Sequence, residues 1–236
     1  MSDLLDVAGL NAAYGASQVL HDIALRMSAG EVILLLGRNG AGKTTLMKAL
    51  MGLVSLRGGS IRLNGTDIAG KQSYEIARLG IGLVPEDRRM FAHLTVAENL
   101  QLGAKPGADG RTGWNFERVF QLFPDLRNLQ GRKAGNLSGG QQQMVAVART
   151  LLGNPDLVLL DEPGEGLAPV IVEQMANQLG VLRREGLSMI ISEQNLSFAR
   201  KLADRAYILE SGYIRHSGTL AELDANPDAW TRYIAF

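Results

Sequence analysis

A glycine-rich segment contains the residue types that bind phosphate. It reads Gly37-Arg38-Asn39-Gly40-Ala41-Gly42-Lys43-Thr44-Thr45 and follows the apolar run Val32–Leu36. Its two outer glycines, the four residues between them, and the Lys and Thr that follow fit the phosphate-loop pattern. The glycines let backbone amides point at an anion, and the amino terminus of the next helix adds its positive dipole end. Lys43 is then expected to reach the outer phosphates, and the Thr44 hydroxyl to bind Mg²⁺.

The alternative to this interpretation is a chance glycine-rich turn between a strand and a helix. The segment, however, follows a buried strand and opens a predicted helix, 45–51. Strand, loop and helix therefore occur in the order that a phosphate loop requires, which favours the functional interpretation.

A pair of acids follows a second buried run, Leu157–Leu160. A carboxylate at the carboxyl end of such a strand lies where α/β sheets bind ligands, so Asp161 is expected to hold Mg²⁺ through its water shell. Glu162 is expected to point elsewhere and to polarise a water for in-line attack on the γ-phosphate. A solvated acidic pair is the alternative, and the phosphate loop argues against it.

The segment Ser138-Gly139-Gly140-Gln141 precedes a helical run with apolar residues on one side. Ser138 is therefore expected at a helix amino terminus, which is a second potential anion site. A plain N-cap explains the serine but not two glycines in the first turn, where glycine destabilises a helix. Two phosphate-binding helix ends and one pair of acids suggest a shared site, in which one subunit's phosphate loop and another's Ser-Gly-Gly clamp each ATP.

The elements around these motifs predict an α/β fold with a mostly parallel sheet. Apolar runs at 32–36, 157–160 and 187–191, separated by helical segments, indicate strands buried on both faces. Asn64-Gly65 and Ser211-Gly212 predict hairpins that add antiparallel strands at the edges. The stretch 87–152, with the capping box Thr95–Glu98, predicts a helical subdomain inserted within one domain spanning residues 1–236.

Composition excludes several other classes of function. The 236 residues carry 24 Lys+Arg and 24 Asp+Glu, which gives no electrostatic footprint for nucleic acid. With no Cys, thiolate metal sites and cysteine nucleophiles are excluded. The apolar runs are far shorter than the roughly 20 residues of a membrane-spanning helix. The acidic start of the sequence is unlike a signal peptide, so the protein is expected to stay where it is made.

Taken together, the motifs resemble the ATP-binding subunits of ABC transporters. The resemblance rests on the phosphate loop, Leu137-Ser138-Gly139-Gly140-Gln141 and Leu159-Leu160-Asp161-Glu162-Pro163, in this order and spacing. It implies a P-loop ATPase core and a head-to-tail dimer that closes on two ATP molecules. It also implies that Tyr14 stacks on adenine, although a tyrosine at a strand end is, by itself, more often merely half-buried.

Three departures from the general family pattern indicate one subfamily. Glu86 stands where most members have a Gln that contacts Mg²⁺ and senses the membrane subunit, and Ala168 where an Asp is common. Gln194 stands where most members place a His near the γ-phosphate. These variants resemble the second ATP-binding subunit of branched-chain and other hydrophobic amino acid importers, a group that includes urea and amide importers.

The implied function is ATP hydrolysis that powers solute import at the cytoplasmic face of the inner membrane. The implied partners are transmembrane permeases, an identical or paralogous second ATPase and, indirectly, a periplasmic solute-binding protein. Glu162, Lys43 and Gln194 are the expected catalytic residues, and Thr44, Asp161 and Glu86 the expected Mg²⁺ ligands. Two alternatives stay open, namely a nucleotide-holding regulatory subunit with weak hydrolysis and a soluble ABC ATPase without a transport role.

Overall fold

The computed structural model describes residues 3–105, 113–194 and 202–225. Its larger sheet has six strands in the order β10-β9-β3-β8-β7-β6. These strands are β3 Val32–Leu36, β6 Ile81–Val84, β7 Leu157–Asp161, β8 Ser188–Glu193, β9 Arg205–Glu210 and β10 Tyr213–Thr219. All pairs are parallel except β9 with β10. The three predicted buried runs are therefore neighbours at the centre of this sheet.

The smaller sheet is antiparallel, with the order β2-β1-β4-β5. Its strands are β1 Leu5–Tyr14, β2 Ser17–Met27, β4 Ser55–Leu63 and β5 Thr66–Asp67. The hairpins predicted at Asn64-Gly65 and Ser211-Gly212 join β4 to β5 and β9 to β10. The first two strands, of 10 and 11 residues, are longer than the short strands that the sequence suggests, and their pairing continues past three register shifts.

The helices are short apart from two that flank the central strands. They are α1 Lys43–Leu50, α2 Ser73–Arg78, α3 Val96–Gly103, α4 Phe116–Leu122, α5 Pro124–Leu129, α6 Gly139–Leu151, α7 Pro169–Arg184 and α8 Leu220–Asp224, with a 3₁₀ turn at Ala134–Asn136. Helix α1 begins at Lys43, two residues before the predicted start. Most of the tail that we predict to be helical from residue 224 onward lies outside the described residues.

Two apolar cores hold the site in place, and the strands of the larger sheet separate them. Leu34 and Leu36 of β3 face the core that contains α6 and α7, while Ile33 and Leu35 face the core that contains α1 and the smaller sheet. A parallel strand with apolar contacts on both faces is held rigidly, so the loops at its carboxyl end start from a fixed position.

Helices α3 to α6 lie within the stretch predicted as a helical subdomain, and α3 packs on α6. That assignment stays a prediction. Among the described residues, none of the helices combines the length and hydropathy of a bilayer-spanning segment.

Candidate functional site

The phosphate loop joins the carboxyl end of β3 to the amino end of α1. Gly37 has no room for a side chain, because a Cβ atom there would lie 2.5 Å from the carbonyl oxygen of Leu209. Gly42, the N-cap of α1, has a φ of 111°, a conformation that L side chains rarely adopt. The structure therefore explains these glycines by backbone geometry, as the phosphate-loop interpretation requires.

Lys43 is buried at the start of α1 and contacts both the loop and the acidic pair. Its Nζ donates to the carbonyl oxygens of Gly37 at 2.7 Å and Arg38 at 3.4 Å. The same Nζ lies 3.0 Å from Oε1 of Glu162, and the two side chains are only 4% and 10% exposed. The cation that should face the outer phosphates is thus held beside the proposed base.

Asp161 ends β7 and accepts two hydroxyl hydrogen bonds on the same oxygen. Thr44 Oγ1 donates to Asp161 Oδ1 at 3.1 Å, and Ser192 Oγ donates to it at 2.7 Å. Burial raises the pKa of Asp161, while these two hydrogen bonds oppose the rise. The Thr44 hydroxyl and the Asp161 carboxylate are oxygen groups in contact with each other, and Mg²⁺ prefers such oxygen ligands.

Glu162 has a left-handed backbone, at a φ of 44°. Gln194 Nε2 donates to Glu162 Oε2 at 2.8 Å and to Asn39 Oδ1 at 2.7 Å. Gln194 therefore connects the proposed base to the phosphate loop, a contact that sequence reasoning missed. Gln194 could alternatively cap a helix predicted to begin near residue 196, and that segment lies outside the described residues.

An acidic cleft of about 360 Å³ opens beside the loop. It is lined by 39–45, Val19, Glu86, Glu162 and Glu165. Partial burial and the negative charges of Glu162, Asp161, Glu165 and Asp87 raise the pKa of Glu86. No three acidic or imidazole side chains of the described chain meet closely enough to hold a metal alone. Mg²⁺ bound here would therefore use the hydroxyl and carboxylate oxygens together with water and phosphate, its usual mode in nucleotide sites.

Ser138 is the N-cap of α6 and forms a reciprocal capping box with Gln141. The structure gives Gly140 a packing role, because a Cβ atom there would lie 2.6 Å from Cγ2 of Ile171. At Gly139 a Cβ atom would lie 3.0 Å from Nη1 of Arg88. Tight packing against Ile171 thus explains why residue 140 is a glycine, without any need for an anion site there. The cleft lining does not include this helix end, so its role at a partner's nucleotide stays a prediction.

Tyr14 ends β1 with 46% of its surface exposed. On the side of the smaller sheet the cleft is lined by Val19 of β2. Stacking of Tyr14 on adenine therefore also stays a prediction.

Sequence reasoning missed Arg149, near the end of α6. Its Nη2 donates to the carbonyl oxygens of Arg88 at 3.3 Å and Arg89 at 2.9 Å. Its guanidinium lies 5.6 Å from the ring centroid of Phe91. Arg88 and Arg89 both have left-handed backbones, so this cation fixes a turn that the sequence alone does not reveal.

Comparisons with known proteins agree with the family that the sequence motifs resemble. A family model described as ABC transporter matches residues 20–165. The chain is 44% identical over 221 residues to the high-affinity branched-chain amino acid transport ATP-binding protein BraG of Pseudomonas aeruginosa, covering 94% of this chain and 95% of BraG. It is 34% identical to the probable branched-chain amino acid transport ATP-binding protein LivF of Archaeoglobus fulgidus, covering 93% and 94%.

Similarity extends to solved structures. The crystal structure of the ADP conformation of an ATP-binding cassette of an ABC transporter superposes with a TM-score of 0.82 at 26% identity, covering 97% of each chain. A nucleotide-free cassette superposes equally well, covering 96% of this chain and 97% of the other. The predicted P-loop ATPase fold is confirmed.

Proposed function

This chain belongs to the ABC transporter family of ATP-binding proteins, and we propose that its ATPase activity powers the import of branched-chain amino acids or related small solutes. The proposal rests on two contacts at the carboxyl ends of β3 and β7. Lys43 pairs with Glu162, and Thr44 bonds to Asp161. The 44% identity to BraG supports the solute class. ATP hydrolysis itself follows from family membership.

We assign the steps of hydrolysis to these residues. The amides of the phosphate loop and Lys43 bind the phosphates, and Thr44 and Asp161 hold Mg²⁺, which neutralises charge on the phosphates when bound. Glu162 accepts the proton of the attacking water. Gln194 orients that carboxylate through its 2.8 Å hydrogen bond. Because a Gln amide does not change protonation near neutral pH, Glu162 performs the acid–base chemistry alone.

We propose a head-to-tail dimer in which the first turn of α6 faces the partner's ATP. The amides of 139–141 carry the positive end of the α6 dipole, which suits a γ-phosphate. The second subunit is either identical or a paralogue, and each outcome is compatible with the contacts within one chain.

We also propose that permease subunits dock beside Phe91 and hold the protein at the cytoplasmic face of the inner membrane. The support is a mainly apolar groove of about 560 Å³ lined by Phe91, Leu83, Leu102 and other side chains. Phe91 and Leu102 are more than half exposed. Contiguous exposed apolar surface of this kind marks protein interaction sites.

The test is co-expression with candidate permeases and a second ATPase, followed by reconstitution with a solute-binding protein. We expect ATP turnover that rises when leucine-loaded binding protein is added, and no turnover when both ATPases lack the phosphate-loop lysine (Lys43→Ala in this chain). Turnover by this chain that no solute or permease stimulates would instead support a soluble ATPase. A complex in which the partner alone hydrolyses ATP would support the regulatory alternative.

A further inference from the structure

Ser192 lies between the two acids of the site. It is fully buried at the carboxyl end of β8, where its backbone pairs with Asp161 of β7. Its hydroxyl donates to Asp161 Oδ1 at 2.7 Å and accepts the backbone N–H of Glu162 at 2.9 Å. One hydroxyl group therefore donates a hydrogen bond to Asp161 and accepts one from the backbone of Glu162.

We propose that Ser192 is a positioning residue for the ATPase reaction, setting the Asp161 carboxylate for Mg²⁺ and the Glu162 carboxylate for the attacking water. The inference rests on the proposed function of these acids. Ser192 acts through them, because its hydroxyl bonds to the Asp161 carboxylate and to the Glu162 backbone.

The backbone of Glu162 is the first reason. A left-handed conformation at a residue other than glycine costs energy and persists only where the surroundings enforce it. The N–H of Glu162 bonds to both the hydroxyl and the carbonyl oxygen of Ser192, the latter at 3.2 Å. These bonds fix the turn that directs the Glu162 side chain toward Lys43 and Gln194.

The second reason is the orientation of the Asp161 carboxylate. Its Oδ1 accepts from two hydroxyls on different elements, Ser192 of β8 and Thr44 of α1. Two donors on one oxygen restrict rotation of the carboxylate. Without Ser192, the remaining donor is Thr44, a residue that we also assign to Mg²⁺.

The experiment compares two serines of the same strand in the complete transporter complex. Ser192→Ala removes the hydroxyl between the acids. Ser188→Ala removes another buried hydroxyl at the other end of β8, which accepts the N–H of Gly30 at 2.9 Å. For each variant, kcat, the KM for ATP, the Mg²⁺ concentration for half-maximal rate and the melting temperature are measured.

We expect Ser192→Ala to lower kcat about 10- to 100-fold, the order that a displaced catalytic group costs. The Mg²⁺ requirement should rise severalfold, while the KM for ATP changes less than threefold because the phosphate loop is intact. Ser188→Ala should lower the melting temperature to a similar extent and keep kcat within twofold. If Ser192→Ala does not fold, Ser192→Cys, similar in volume and a weak donor, should show the same loss.

A kcat for Ser192→Ala within twofold of the parent, or a loss no larger than that of Ser188→Ala, overturns the inference. Failure of the proposed function is separate, because it appears as absent turnover in the parent complex before any variant is compared.

Discussion

The ion pair between Lys43 and Glu162 predicts that Glu162→Gln both slows hydrolysis and tightens ATP binding. In the proposed mechanism, Lys43 of the parent exchanges its carboxylate partner, at 3.0 Å, for phosphate oxygens. A hydrogen bond to a charged group contributes about 1.5–3 kcal/mol, and a neutral one about 1 kcal/mol. The substitution therefore removes about 0.5–2 kcal/mol of the ion pair that competes with ATP for Lys43, equivalent to about 2- to 30-fold tighter ATP binding.

If Glu162 is the general base, as proposed, its replacement should lower turnover by about 10²–10⁴-fold. Equilibrium titration with a fluorescent ATP analogue measures the first effect, and steady-state phosphate release measures the second. The matched control is Glu117→Gln, which breaks an exposed ion pair with Arg127 at 2.7 Å and should leave both quantities within twofold. Weaker ATP binding by Glu162→Gln would refute the competition argument, and turnover within tenfold of the parent would refute the role as base.

Substitutions at three other positions test the remaining contacts. Ser138→Arg places bulk at the first turn of α6, and should preserve ATP binding by the isolated chain while abolishing hydrolysis; loss of binding would contradict the head-to-tail arrangement. Gln194→Ala removes the 2.8 Å hydrogen bond to Glu162 and should lower kcat by about tenfold, whereas Gln194→His should be tolerated. An unchanged kcat with a small loss of thermal stability would assign Gln194 a structural role. Asn99→Ala removes a buried side chain that bonds the backbone N–H and C=O of Phe91. It should lower the free energy of unfolding by about 2–3 kcal/mol, measured by urea denaturation, and a value below 0.5 kcal/mol would contradict this reasoning.

The fold class and most site elements could be predicted because strong local patterns specify them. A run such as Val32–Leu36 is too short for a helix and too apolar for an exposed strand, so only a central strand fits. The phosphate loop depends on backbone conformations that glycine alone adopts easily, so its residues are readable from sequence. The ATPase family and its transport role, inferred from three motifs, are confirmed by the comparisons.

Contacts between elements far apart in the sequence could not be predicted. Ser192 meets Asp161 only because β7 and β8 pair in a particular register, and no local pattern specifies register between parallel strands. The signal was nevertheless present, since a serine follows two isoleucines at the end of a buried strand. Gly140 has a second explanation of the same long-range kind, because its closeness to Ile171 provides a packing reason that the anion-site argument did not consider.

The contacts between Arg149 and the turn at 88–91 connect helix α6 to the apolar groove. Helix α6 has 13 residues, so it is a rod about 20 Å long, with Ser138 at one end and Arg149 near the other. A pivot of about 10° at the Ser138 end would sweep the far end through about 3 Å. Arg149 donates to two carbonyl oxygens of this turn and lies over the Phe91 ring. The apolar groove beside Phe91 would therefore move together with that end of the helix. Movement at the nucleotide end of α6 and movement of the groove would then be coupled through this one rigid helix.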